Sequence, residues 1–361
     1  MDRRSLAAVS FLLVVVIWLA PPLAFAAPAA NLAQIAVYRG ADRQRFLEEG
    51  AKKEGKATLY TSGIIKSGTG KWIDDFQKKY PFVKIEYWRG GGFDVPARVI
   101  EEYKANRFVV DIFELNAGQL LSLKTRNILV PFWSPELVAY PNDAKLAPVK
   151  DLVHGIVVRE SYHGIGFNTD MIAKNEAPKN FEDLLNPKWR GKMAITSEGG
   201  AGILFIGNLL TTGRGTEYLE KLARQNIILH AVSARALADL MITGEVPLSP
   251  TISNAHVSDS QAKGAPIDWI PLNPSVTRDG MVALAAKAPN PYTATLMLDF
   301  ALTKAQQEMR TTFGYGVARG DVQSPHTLPA SIKRFYYGFD PNYEANYVKW
   351  EKLLNQYFAK K

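Results

Sequence analysis

The sequence predicts an α/β fold in two lobes, built on parallel strands joined by right-handed helical crossovers. Three observations carry this expectation. Short apolar runs alternate with helical patterns between residues 57 and 118. The chain has 361 residues, too many for one ordinary core. The pattern then changes after about residue 130, where a proline-punctuated stretch over 132–150 interrupts it.

The elements follow in order. Residues 57–61 (Ala-Thr-Leu-Tyr-Thr) read as a strand ended by Ser62-Gly63. Residues 71–79 place Trp72, Ile73 and Phe76 on one helical face, and Tyr80-Pro81 stops the helix. Residues 83–88 alternate as a strand does and run into Gly90-Gly91-Gly92. Pro96 suits the first turn of the next helix, which carries Val99, Ile100 and Tyr103. Residues 109–113 form a third strand, and Asn116-Ala117-Gly118 opens another helix. Further on, 155–158 and 162–168 read as two separate strands, 181–185 as a short helix and 192–196 as a strand. Helices are expected over 200–210, 215–225 and 234–243, and strands over 246–248, 269–272 and 281–284. Helices over 291–302 and 304–312 and an aromatic-rich helix over 343–358 close the chain.

The N-terminus predicts export. Arg3-Arg4 precede an apolar run over 6–20, broken only by Ser10, and Ala24-Phe25-Ala26 supplies a small-x-small cleavage site. A signal peptide over 1–26, cleaved after Ala26, places the mature protein in the periplasm. The sequence has no cysteine, which excludes a lipid-anchored cysteine, a disulfide and a thiolate metal site. The formal charge of +8 favours anionic solutes through the long-range field, or serves solubility alone. Basic residues are scattered, with no aromatic-interleaved stripe, so no nucleic acid is expected as partner.

Ligands of open parallel sheets bind beyond the carboxyl ends of the strands. Four such ends carry suitable chemistry. Thr61-Ser62-Gly63 offers hydroxyls and an approachable backbone. Arg89-Gly90-Gly91-Gly92 offers a guanidinium, which recognises carboxylate or phosphate in a bidentate way, unless it pairs at the surface with Glu86 or Asp94. Glu114-Leu115-Asn116 offers a carboxylate and an amide. Ser197, Gly199, Gly200 and Ala201 precede an apolar helix, whose exposed N–H groups favour an anion. His256 is a further candidate for facing a cleft. No catalytic set emerges: the five histidines lack H-E-x-x-H spacing, the phosphate-loop motif fails around 65–72, and no G-x-S-x-G occurs.

At this point the residues resemble a known family, the periplasmic binding proteins of ATP-driven importers in the group named for ferric iron uptake. The resemblance rests on Gly50-Ala51-Lys52-Lys53-Glu54-Gly55 before Leu59-Tyr60-Thr61-Ser62, on residues 162–169 (Tyr-His-Gly-Ile-Gly-Phe-Asn-Thr), and on residues 183–192 (Asp-Leu-Leu-Asn-Pro-Lys-Trp-Arg-Gly-Lys). Ala288-Pro289-Asn290-Pro291 and residues 300–307 extend it. It implies the two-lobed type II periplasmic-binding fold, each lobe a mixed, mostly parallel sheet flanked by helices. It also implies a first lobe over 28–160 plus 275–361, a second over 161–274, and ligand capture by hinge closure. Iron-binding members carry paired tyrosines where this chain has Asn254 and Ala255, between Ser253 and His256. An amide and a methyl cannot supply the anionic oxygens that ferric iron wants, so no metal site is expected. Glu114 falls where the family often has an acidic ligand, and the Gly199 segment where it binds an anion at a helix start.

The expected function is therefore that of a monomeric binding component, without enzymatic activity or cofactor. It would pass a small anionic or zwitterionic organic solute (phosphonate, sugar phosphate or carboxylate) to a membrane permease. Ferric iron held with a synergistic anion and a secreted α/β hydrolase stay open as alternatives.

Overall fold

The computed structural model describes residues 32–91, 94–340 and 342–359, and the expected signal peptide lies outside them. The described residues belong to one compact unit. Chain order begins α1 (Leu32–Ala36), α2 (Arg43–Glu54), β1 (Lys56–Thr61), α3 (Gly70–Lys79), β2 (Lys84–Arg89), α4 (Asp94–Lys104), β3 (Ile112–Leu115) and α5 (Ala117–Lys124). It continues with β4 (Leu129–Val130), β5 (Lys145–Leu146), β6 (Gly155–Asn168), β7 (Ala194–Thr196), α6 (Ala201–Thr211), α7 (Gly215–Ala223), β8 (Ile228–His230) and α8 (Ala234–Ile242). It ends with β9 (Leu248–Ser253), α9 (Asn254–Gln261), β10 (Ile267–Ala285), α10 (Pro291–Leu302), α11 (Lys304–Thr311), β11 (Arg334–Phe335) and α12 (Tyr343–Phe358). No helix among the described residues is long and apolar enough to cross a membrane.

The opening strands behave as the alternation dictates: β1 lies parallel between β2 and β3. The rest of the nine-stranded sheet departs from a mostly parallel one. β3 runs antiparallel to β10, β10 antiparallel to β6, and β6 antiparallel to β5 and β9. The departure has one cause. β6 and β10 are two long strands running in opposite directions, and β3, β4, β5 and β9 pair antiparallel on their flanks, while β7 and β8 form a separate two-stranded parallel sheet. β6 and β10 each replace two expected strands. The polar stretches Arg159-Glu160-Ser161 and Thr277 to Gly280 read as breaks in apolar periodicity, yet they pair with one another in the ladder. Strand alternation sends Arg159, Ser161 and His163 to one face and turns Glu160 to the other, where the Tyr162 and Tyr336 hydroxyls donate to it.

Buried side chains form two large clusters. One draws on residues 32–158 and 281–302, the other on residues 165–276 and 337–358. A smaller third joins Leu237 and Met241 of α8 to Ile252 of β9 and Val257 of α9. The polar stretches of β6 and β10 thus lie between the two large clusters. The sequence reading groups α12 with the first lobe, but Trp350, Leu354 and Phe358 pack in the second cluster against α6. The reason is shape: at Gly207 a Cβ would come within 2.7 Å of the Trp350 ring, so the glycine leaves the notch that the indole fills. Trp350→Ala is expected to cost about 3–5 kcal/mol, seen as a lower guanidinium midpoint.

Candidate ligand-binding site

A cavity of 230 Å³ opens where the polar stretches of β6 and β10 pass the carboxyl ends of β1, β2 and β3. Ser62 and Gly63 reach it from the end of β1, Arg89 and Gly91 from the end of β2, and Asn116 from the end of β3. β6 contributes Arg159, Ser161 and His163, and β10 contributes Arg278 and Asp279.

Three helices start at its wall. Asn116 caps α5 through a reciprocal pair: its Oδ1 accepts the Gln119 N–H at 3.0 Å while Gln119 Oε1 accepts the Asn116 N–H at 3.0 Å. Ser233 caps α8 by accepting the Ala236 N–H at 3.3 Å, and Ser253 caps α9 by accepting the Ala255 N–H at 3.3 Å. The cavity is lined by Asn116, by Ser233 with Ala234, and by Ser253 with Ala255. Each start carries part of the helix dipole's positive end, so the three fields add inside one space. Gly199, just before α6, also lines it, with φ of 68°, a left-handed conformation that suits glycine.

Four guanidiniums face this space, in two different conditions. Arg159 is spoken for: its Nε donates to Glu114 at 3.2 Å, and it lies over the Tyr315 ring at 5.4 Å. Arg235 is bound to Asp239, the His256 carbonyl and Ser260. Arg89 and Arg278 have no carboxylate within ion-pair distance among the described residues. Arg89 Nε donates to the Gly63 carbonyl at 2.9 Å, while Glu86 pairs with Lys84 and Asp94 accepts the Gly91 N–H. Arg278 Nη1 donates to the Gly199 carbonyl at 3.0 Å.

Glu114 sits behind the wall, fully buried, and does not reach the cavity. Burial alone would raise its pKa. Arg159 and Arg310 together with the Thr69 and Thr61 hydroxyls outweigh burial and hold the carboxyl at about 2. Asp279 is the carboxylate that does line the cavity. Burial pushes it up to about 6, although the Ala117 N–H donates to its Oδ2 at 2.7 Å. His163 and His256 are lowered, mainly by burial and further by nearby arginines, His163 well below the ordinary histidine range and His256 to about 4. Both imidazoles are thus neutral at pH 7, and the buried Nδ1 of each has no partner among the described residues.

Of the sequence candidates, the structure brings Ser62, Gly63, Arg89, Asn116, Gly199, Ser253 and His256 to one cavity. It leaves the others off the lining. Thr61 is buried and donates to Glu114 at 2.9 Å. Gly90 gives way to Gly91. Ser197 turns to the His230 carbonyl at 3.3 Å. Gly200 and Ala201 begin α6 behind Gly199. Asn254 is buried, accepting the Tyr162 N–H at 2.8 Å and donating to the Gly314 carbonyl at 3.4 Å, so it fastens α9 to β6. Sequence reasoning missed Arg159, Ser161, Arg278 and Asp279, because it broke both long strands where these residues lie, and it left His163 as a packed residue inside the expected strand 162–168. It also missed Ser233, although the rule that selected the α6 start applies equally to the α8 start.

Comparison with known proteins agrees with this architecture. The chain matches the family described as bacterial extracellular solute-binding protein over residues 109–340. An uncharacterized protein of Haemophilus influenzae is 23% identical over 260 residues, which is 69% of this chain and 67% of that protein. Iron-bound HitA from Pseudomonas aeruginosa superposes with a TM-score of 0.71 at 16% identity, over 83% of this chain and 99% of that one. The periplasmic binding protein AfuA from Actinobacillus pleuropneumoniae, with exogenous fructose-6-phosphate bound, gives 0.68 at 21% identity, over 84% and 97%. The fold is the type II periplasmic-binding fold. Such proteins bind small molecules and deliver them to ABC permeases. With the match covering well over half of its length, this chain belongs to the bacterial extracellular solute-binding protein family.

Proposed function

We propose that the protein captures a small anionic or zwitterionic organic solute (phosphonate, sugar phosphate or carboxylate) in the periplasm, after cleavage of its signal peptide. It then presents the solute, as a monomer, to the permease of an ABC importer. One observation carries the ligand class: two guanidiniums without carboxylate partners, Arg89 and Arg278, face a cavity into which three helix starts open. Desolvated donors and dipoles of one sign form an anion site. The two large cores correspond to two lobes, with β6 and β10 as the connecting hinge strands. A solute touching both sides holds the closed form better than the open one, which is what drives closure.

The donor chemistry weighs against ferric iron. A hard cation wants several anionic oxygens. The wall supplies one carboxylate, Asp279, and one phenol, Tyr315, facing four guanidiniums. Among the described residues, no group of three or more His, Asp and Glu is placed to hold a metal.

A thermal-shift panel of phosphonates, sugar phosphates, carboxylates and ferric citrate tests the reading. A solute at 100 times its Kd stabilises by about 2.7 kcal/mol, enough to raise Tm clearly. At least one organic anion is expected to do so. A rise with ferric citrate alone, accompanied by a visible charge-transfer band, would replace this reading with iron binding.

A further inference from the structure

The cavity contains a group that an anion site does not need. Asp279 follows Arg278 directly along β10, with Cα atoms about 3.8 Å apart. Neighbouring residues of a regular strand face opposite ways, yet both of these line the same space. The ladder between β10 and β6 shifts register immediately afterwards, where β6 inserts Val158 between the partners of Gly280 and Met281. One oxygen of Asp279 is taken by the Ala117 N–H, and no side-chain donor of the described residues meets the carboxylate. An anion bound at Arg278 would sit beside a buried negative charge. That is costly unless the ligand itself supplies a donor to the carboxylate.

Resting on the anionic-solute reading, we propose that the solute carries a hydrogen-bond donor, a hydroxyl or an ammonium, a few bonds from its anionic group, and that Asp279 selects for it. The cavity has room for such a solute. At about 30 Å³ per water, its 230 Å³ equals roughly eight waters, well beyond a bare inorganic anion. The charged neighbours of Asp279 leave its role open to the ligand. Arg159 is engaged by Glu114, Glu160 is turned to the other face, and Arg278 is engaged only by a carbonyl. With its pKa at about 6, Asp279 is ionised at pH 7 and accepts hydrogen bonds only.

Matched probes test this by titration calorimetry at pH 7.5. One set is ethylphosphonate, 2-hydroxyethylphosphonate and 2-aminoethylphosphonate; a second is propyl phosphate and glycerol 3-phosphate; a third is propionate, 3-hydroxypropionate and 3-aminopropionate. Wild type is expected to bind a donor-bearing probe at least about tenfold tighter than its donor-free match, a difference of about 1.4 kcal/mol. The hydroxyl and amino arms tell which donor is read. Asp279→Asn keeps an oxygen for the Ala117 N–H, and is expected to erase that ratio while strengthening the donor-free probes. If Asp279 only caps α5, the variant weakens all probes alike and preserves the ratio, which overturns the proposal. Equal affinities within every set that binds wild type also overturn it. If no probe binds wild type at all, the anionic-solute reading fails and takes this inference with it.

Discussion

Arg278→Met raises the Kd for the anionic solute by roughly 30- to 150-fold, a loss of about 2–3 kcal/mol typical of hydrogen bonds to a charged group. Met keeps much of the stem volume and removes the charge, so the change reads the guanidinium rather than packing. Arg278 matters more than Arg235 or Arg159 because no carboxylate of the described residues neutralises it. Arg278→Lys should recover part of the loss, since it restores charge without the planar fork. Titration calorimetry on both variants decides the matter: wild-type affinity in Arg278→Met would remove this residue from the site. The same measurement on Arg89→Ala applies to the other guanidinium without a carboxylate partner.

Glu114→Ala acts on stability instead. The carboxylate lies between Arg159 Nε at 3.2 Å and Arg310 Nη1 at 3.1 Å, with Arg310 fully buried. Its other oxygen accepts from Thr61 at 2.9 Å and Thr69 at 2.7 Å. Removing it leaves two buried guanidiniums facing each other and two hydroxyl protons without their acceptor, at a cost of about 3–5 kcal/mol. A guanidinium denaturation curve is expected to show the lower midpoint, and an unchanged one would refute the buried-anchor role. The pH dependence has a definite sign. An unfolded glutamate titrates near pH 4.3, whereas this one is held at about 2. Its stabilisation is therefore complete above about pH 4.3 and is lost as the pH falls to about 2. Denaturation curves of the wild type and of Glu114→Gln should converge over that window.

Much of the first half of the fold is legible in the sequence because local signals agree there. At α3 the apolar face of Trp72, Ile73 and Phe76 coincides with the observed burial. At α5 the residues Asn116 and Gln119 form the expected helix opening as a full capping box. β6 and β10 defeat the same rules. Periodicity treats a polar stretch as the end of a strand, yet Arg159 to Ser161 and Arg278 to Gly280 stay in the ladder. Their side chains line a cavity or bond to polar groups around them, so they carry no apolar signature. A long helix such as α12 advertises its apolar face, but nothing local says which core it joins; that depends on the notch at Gly207, which only the folded α6 provides. Glu114 shows the converse error. Its position at the end of β3 suggested a ligand contact, and its charge is consumed one layer behind the wall.

The way the two cores are assembled from separated stretches has a consequence for synthesis. A ribosome delivers residues from the N-terminus at about 5–20 per second. The first core cannot close until residues 281–302 have arrived, and the second lacks Trp350, Leu354 and Phe358 until the last helix is finished. Each core therefore waits on residues from the last quarter of the chain, and neither is complete until those residues emerge.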